Sequence, residues 1–149
     1  AATHAPAIPG ALAPAEASAQ VADFLATAAT LAPDAPDTVD QLAKVASGAI
    51  VAEIANDQQE FLANGWTQKG TPVVASLIIL SADATATWPT AVVQACIDSS
   101  DVVTLDSDGT PLAGPGNDQT HRALTLFTLQ RNGSSWRVIS RTFPDDTTC

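Results

Sequence analysis

Positive charge is scarce in this sequence. Six lysine and arginine residues stand against sixteen aspartate and glutamate residues, which gives a formal net charge of −10. Proteins that bind nucleic acids neutralise phosphates with clustered basic side chains, but Lys44 and Lys69 are the only lysines of this chain. The composition therefore excludes a nucleic-acid partner and disfavours an anionic membrane surface, while the acidic surplus favours solubility.

Long hydrophobic runs are also missing. The longest, Val73 to Leu80, is interrupted by Ser76 and is far shorter than the ~18 apolar residues that a membrane span requires. The sequence contains no methionine and begins without a basic and apolar leader. We therefore expect a mature product from which a signal peptide has been removed, although what precedes residue 1, including a lipid anchor, is not written here.

Only two cysteines occur, Cys96 and the C-terminal Cys149. A disulfide between them would join the end of the chain to the middle, and disulfides persist outside the reducing cytosol. A metal-binding thiol pair is disfavoured, because His4 and His121 are not clustered near the cysteines as zinc ligands are. Nucleophile-elbow and phosphate-binding glycine motifs are absent too, so we predict no metal and no cofactor.

The order of helical and strand-like segments predicts an α+β fold. An Ala/Pro-rich segment at residues 1–13 has the composition of a flexible tether or a frayed terminus, and residues 14–149 form a single domain. Apolar spacing predicts one helix from Pro14 to Ala32 and a second helical region from Asp37 to Asn64, which Ser47-Gly48 bends or splits. Helices that precede strands joined by turns predict a mostly antiparallel sheet of about four strands.

The predicted strands follow Gly70. The run after Pro72 is long and apolar enough for a well-buried strand, and a second strand from Ala91 to Ser99 carries Cys96. The Asp106–Gly109 segment is a turn signal. Asn132-Gly133 is the strongest hairpin signal of the chain and joins the last two strands.

Catalysis in this chain would depend on few groups. His121 is the histidine of the predicted domain, and it could form an acid–base pair with Asp98; Glu53 is a second candidate acid. Nothing in their spacing requires these residues to meet, and a solvated histidine and glutamate are the commoner situation.

Several acidic residues near the predicted turn suggest a calcium site as one hypothesis. They are Asp98, Asp101, Asp106, Asp108 and Asp118. Their oxygens are of the type that calcium prefers, but the spacing lacks the closing glutamate of an EF-hand. A solvated turn is therefore the preferred interpretation.

Aromatic and basic side chains provide the candidate binding residues. Trp66 and Trp88 lie at the ends of predicted elements, where a pocket rim or partner surface is built, although core packing is also open to them. Arg137 and Arg141 are four residues apart on the last strand, which predicts one sheet face. They could pair with the acidic loop or receive an acidic ligand group.

The segment from about residue 15 to residue 149 resembles small secreted proteins and lipoproteins of actinobacteria. The resemblance rests on Cys96-Ile-Asp98-Ser99, on Asp106-Ser-Asp108-Gly109, on Trp136 and on the terminal Cys149. It implies an NTF2-like (cystatin-type) fold, in which a curved antiparallel sheet wraps around helices and often encloses a cavity. Such a fold hosts both enzymes and binding modules.

Three functions follow as hypotheses. The first is a secreted or cell-envelope, non-enzymatic domain that binds a protein or a small apolar ligand. The second is a small NTF2-like lyase, isomerase or hydrolase that uses His121 with a carboxylate. The third is an extracellular protein that self-assembles through strand edges or the Ala/Pro segment.

Overall fold

The computed structural model of the chain describes residues 12–84, 87–112 and 121–149. Helices precede strands, as the α+β prediction requires. The helices are α1 (Pro14–Thr30), α2 (Thr38–Leu42) and α3 (Ala49–Asn64), and the strands are β1 (Thr67–Lys69), β2 (Val73–Asp83), β3 (Thr90–Asp98), β4 (Val103–Leu105), β5 (Arg122–Asn132) and β6 (Ser135–Thr142). No helix among these residues is long and apolar enough to cross a membrane.

The second predicted helical region is split at Ser47-Gly48. Gly48 has a φ of 76°, outside the helical range, and the residues before it lie along β6. The Ser47 N–H donates to the Val138 carbonyl, and the Val138 N–H donates to the Val45 carbonyl. Helix α2 has already ended at Leu42, and Gly48 is the residue from which α3 begins; only a residue without a Cβ takes its conformation at no steric cost.

The end of α3 is as predicted from Asn64-Gly65. Gly65 takes the left-handed conformation (φ 69°), and the Trp66 N–H donates to the Phe61 carbonyl. The indole of Trp66 packs edge-on against the Phe61 ring, with 5.8 Å between ring centroids. This cap turns the chain from the helix into β1.

The main sheet is antiparallel, with the strand order β2-β3-β5-β6. β1 pairs with β4 in a separate two-stranded sheet, in which Thr67 lies opposite Leu105. The sequence interpretation did not include β1, since its three residues carry no apolar alternation. The predicted Asn132-Gly133 hairpin is present, and Asn132 lies opposite Ser135.

The position of β2 corrects one prediction. Its apolar run was expected to form a well-buried strand, but β2 is an edge strand that pairs only with β3 among the described strands. Ile78 and Leu80 are 55% and 50% exposed. An apolar run specifies a strand but not its neighbours, which tertiary packing alone decides.

The core lies between α1 and the inner face of the sheet. Phe24 of α1 meets Phe127 of β5 edge-on at 6.1 Å between ring centroids, and both are fully buried. Trp136 also packs in this core. Leu12, inside the predicted 1–13 segment, is buried as well, so the packed part of the chain includes a residue before Pro14.

Cys96 and Cys149 form a disulfide with their Cα atoms 5.9 Å apart, which confirms the predicted pair. The segment that leads to Cys149 runs beside β5, where the Leu124 N–H donates to the Thr147 carbonyl at 2.9 Å. The disulfide thus fastens the C-terminal segment to β3 in the middle of the sheet.

Candidate functional site

A cleft of about 210 Å³ opens between α1, α3 and the sheet. Its apolar wall comes from both helices, with Phe24 and Leu25 on α1 and Ile54 and Phe61 on α3. Helical spacing places these side chains on the faces that turn toward the sheet. Phe24, Leu25 and Ile54 are core residues, and of these four side chains only Phe61 is partly exposed.

The polar side of the cleft is centred on Arg141 of β6. Its Nη2 donates to the Glu53 Oε1 at 2.7 Å, and the Arg141 side chain is 22% exposed against 47% for Glu53. This ion pair joins the last strand to α3, and of its two residues Arg141 lines the cleft. Because one partner is half-exposed, its contribution to stability is modest, and its main effect is to orient the guanidinium.

Asp57 lies one helical turn after Glu53 and lines the same cleft. Partial burial raises the pKa of its carboxyl above the usual 3.8; the nearby Arg141 lowers the pKa, whereas Glu53 and Glu60 raise it. The ordering of these causes means that desolvation outweighs the attraction of the guanidinium. A carboxylate with a raised pKa in a cleft is typical of functional sites.

Two buried polar atoms at the cleft have no hydrogen-bond partner among the described residues. They are the Nε of Arg141, a donor, and the Oε1 of Gln58, an acceptor. Buried polar groups are nearly always hydrogen-bonded, because leaving one unpaired costs about 1–3 kcal/mol. Both atoms could be satisfied by a ligand that supplies an acceptor and a donor.

The cleft continues in two directions. Toward the ends of β3 and β5, a depression of about 200 Å³ shares Leu25, Pro72 and Arg141 with it. On the other side, a depression of about 450 Å³ shares Ala29 and Phe61. We call these three depressions together the groove; Arg141 lines the cleft and the smaller depression but not the larger one.

The predicted pair of His121 and Asp98 lies at the end of the sheet. The Asp98 carboxylate accepts hydrogen bonds from Ser100, through both its N–H and its hydroxyl, and from the Arg122 Nε at 3.2 Å. Hydrogen bonds from the Ser100 side chain and backbone, in that order, and from Arg122 lower the pKa of Asp98. No side-chain hydrogen bond joins His121 to Asp98 within the described ranges; the backbone N–H of Ser99 donates to the His121 carbonyl at 2.9 Å.

The acidic loop has its own hydrogen bonds. The Asp106 Oδ1 accepts from the N–H groups of Asp108 and Thr110, both at 2.9 Å, and Gly109 takes a φ of 81°. Asp106 thus holds the turn that its sequence predicted. Asp118, which belonged to the calcium hypothesis, lies outside the described residues.

The two tryptophan candidates occupy different places. Trp66 is half-buried and packs on Phe61, which lines the cleft. Trp88 is 52% exposed and precedes β3, so it lies at the end of the sheet opposite the cleft. The structure brings only Trp66 close to the site.

Arg137 and Arg141 do not share a sheet face, so that prediction is wrong. Arg141 lies opposite the buried Phe127, whereas Arg137 lies opposite Gln130. A β-bulge at Ile139 adds one residue between them and reverses the alternation of side chains. A bulge leaves no reliable mark in the sequence, and only Arg141 reaches the cleft.

The opposite pKa shifts of Asp57 and Asp98 predict opposite effects of two isosteric variants. The raised pKa of Asp57 means that its ionisation opposes folding, so Asp57→Asn is expected to raise the melting temperature at pH 7. The lowered pKa of Asp98 means that its ionised form supports folding above pH 3.8, so Asp98→Asn is expected to lower it.

Thermal unfolding of both variants from pH 7 down to pH 3 checks these signs. The difference in melting temperature between each variant and the wild type should shrink on acidification. For Asp57→Asn this difference shrinks while the pH falls from the raised pKa of the folded state toward 3.8. For Asp98→Asn the difference shrinks while the pH falls from 3.8 through the lowered pKa of the folded state. If both variants changed the melting temperature in the same direction at pH 7, the opposite pKa shifts of Asp57 and Asp98 would be contradicted.

Sequence interpretation found Glu53 and Arg141 but missed Asp57 and Gln58. A signal was present, because Glu53, Asp57 and Glu60 recur at a spacing that places them on one face of α3. The sequence does not show that this face of α3 lies beside Arg141, because Arg141 is 88 residues from Glu53 along the chain.

The sequence matches no protein-family model and no curated protein. Among solved structures, the chain is similar to the intermembrane space region of the chloroplast protein ARC6, with a TM-score of 0.60 and 15% identity over 91% of this chain and 98% of that one. A de novo designed β-sheet protein matches with a TM-score of 0.36 and 13% identity, over 89% and 88% of the two chains. The ARC6 likeness shows a shared fold.

Proposed function

We propose that this protein is a non-enzymatic binding domain that works outside the cytosol, and that its ligand lies in the cleft between α1, α3 and the sheet. The ligand has an apolar body, which is either a small molecule or a side chain of a partner protein, and a polar group that both donates and accepts a hydrogen bond. In this proposal the domain is of the NTF2-like type that its sequence resembles.

The observation that carries the proposal is the combination of a cleft with an apolar wall and two unpaired buried polar atoms. The wall is buried at Phe24 and Ile54 and partly exposed at Phe61, and Arg141 Nε and Gln58 Oε1 lie beside it. Ligand sites are typically apolar clefts with a few polar groups that fix the orientation of the ligand.

Binding is favoured over catalysis because the acid–base candidates are divided and already engaged. Glu53 is paired with Arg141 at the cleft, whereas Asp98 is bonded to Ser100 and Arg122 at the end of the sheet. General acid–base chemistry needs such groups within reach of the same substrate atoms. The location outside the cytosol is supported by the Cys96–Cys149 disulfide.

The proposal is tested with n-octanol, a neutral apolar chain whose hydroxyl is both a donor and an acceptor. A titration followed by two-dimensional ¹H–¹⁵N NMR is expected to shift the amide signals of residues that line the cleft, such as Ala28 and Phe61, in a saturable manner. Absence of any saturable shift, or shifts spread over the outer face of the sheet, would overturn the proposal.

A matched pair of variants locates the site. Ala29 lines the cleft and its larger extension, so Ala29→Phe is expected to fill the groove and weaken octanol binding at least tenfold. Ala52 on α3 is exposed and lines none of the described pockets, so Ala52→Phe adds the same side chain without an effect. Equal binding by the two variants would place the ligand elsewhere.

A further inference from the structure

Arg137 differs from the other arginines of the chain in having no partner. The other three arginines each donate a hydrogen bond to an oxygen of the same chain: Arg122 to Asp98, Arg131 to the Gly133 carbonyl, and Arg141 to Glu53. Arg137 makes no side-chain hydrogen bond and no ion pair with any described residue, although the sequence contains sixteen acidic residues. A partly buried guanidinium is therefore left without an anion.

The guanidinium of Arg137 is closed on one side and open on the other. Its Nε is buried and has no hydrogen-bond partner in the described part of the chain. Its two terminal nitrogens are not among the buried unpaired atoms, so they remain accessible. An anion that binds the terminal nitrogens meets a cation that is already partly desolvated, and charge-assisted hydrogen bonds are stronger there than in water.

Arg137 lines a depression of about 480 Å³ beside the edge of the sheet that β6 forms, which we call the Arg137 depression. Its aliphatic lining comes from Val39 on α2, from Ala43 directly after α2, and from Val51 in the first turn of α3. The connection between the two helices is fixed here, because Ala46 bridges to the backbone of β6. The volume of this depression lies within the range of small-molecule sites.

The charge of the Arg137 depression is positive, in contrast to the chain as a whole. Arg137 is the only charged residue of its lining in the part of the chain that the structure describes. Next to the lining residues Val39 and Ala43 the sequence places one acid, Asp40, and one base, Lys44. More distant carboxylates are screened beyond about 8 Å at physiological ionic strength, so the guanidinium determines which charge a ligand must carry.

We propose that the Arg137 depression binds a small carboxylate with a short aliphatic body. The carboxylate oxygens accept hydrogen bonds from the terminal nitrogens of Arg137, and the aliphatic body lies against Val39 and Val51. A carboxylate fits better than a phosphate, because one guanidinium balances one negative charge and the rest of the lining is mostly aliphatic. The site is separate from the cleft, with which it shares no lining residue.

A comparison of sodium isovalerate with isovaleramide tests the proposal on the wild-type chain. The two molecules have the same shape and differ in charge, and sodium chloride keeps the ionic strength constant. In two-dimensional ¹H–¹⁵N NMR, isovalerate is expected to shift the amide signals of Ser47, Gly48 and Val51 in a saturable manner, and isovaleramide to bind at least tenfold more weakly. Absence of saturable shifts, equal binding of both molecules, or shifts confined to the cleft residues Ala28 and Phe61 would overturn the proposal.

A matched pair of variants assigns the binding to one guanidinium. Arg137→Gln removes the charge and keeps a polar side chain, so it is expected to weaken isovalerate binding at least tenfold. Arg131 lies on the same hairpin and does not line the Arg137 depression, so Arg131→Gln should bind like the wild type. Thermal unfolding of both variants verifies that they are folded. Unchanged binding by Arg137→Gln, or an equal loss in the two variants, would contradict the site.

Discussion

Removal of the Cys96–Cys149 disulfide is expected to lower the free energy of unfolding by about 4 kcal/mol. The two cysteines are 53 residues apart, and the bond restricts the unfolded chain according to the length of that loop. In the folded state it holds the C-terminal segment against β3 and β5. Since domains of this size are stable by only about 5–15 kcal/mol, this is a large effect.

Thermal and urea unfolding of the double variant Cys96→Ala/Cys149→Ala measure this loss. Alanine is used because Cys96 is buried, and a serine hydroxyl there would add the cost of an unpaired polar group. A fall in melting temperature on the order of 10 °C is expected. Reduced wild-type protein should behave like the variant, and an unchanged melting temperature under reductant would contradict the structural role of the bond.

Truncation of Phe24 is expected to cost about 3–5 kcal/mol of unfolding free energy. Its ring is fully buried and meets Phe127 edge-on, so Phe24→Ala removes an aromatic pair and leaves a cavity between α1 and the sheet. Because the surrounding strands are fixed by their hydrogen bonds, the cavity can collapse only in part.

Phe143→Ala is the matched control for this core variant. Phe143 is 62% exposed beyond the end of β6, and a substitution of such a side chain usually changes stability by no more than about 0.5 kcal/mol. Urea unfolding of both variants separates the two cases. A loss below about 1 kcal/mol for Phe24→Ala would show that α1 is not anchored through this ring.

Much of the fold could be predicted because local chemistry carries it. Helix α1 begins at Pro14 as expected, Gly65 ends α3, and the turns at Asp106–Gly109 and after Asn132 occur where their residues indicate. Each of these features depends on the backbone preferences of a few adjacent residues. The disulfide could be predicted because the sequence contains only two cysteines, so that only one intramolecular pairing is possible.

The site was predicted only in fragments for the opposite reason. Glu53 and Arg141 were both candidates, but their ion pair joins residues far apart in sequence. Asp57 and Gln58 are unremarkable on a helix until the sheet covers one side of them. The desolvation of the Asp57 carboxyl and the two unpaired polar atoms depend on the tertiary environment, so no local sequence pattern predicts them.

The sequence by itself determined the helices, the longer strands, their turns, the disulfide and the acidic charge, because these follow from residue types and short spacings. Tertiary structure alone decided which face Arg137 takes, that β2 is an edge strand among the described strands, and that α3 and β6 meet at a cleft. These outcomes depend on a bulge, on strand order and on the packing of α1 and α3, which are relations between segments distant along the chain.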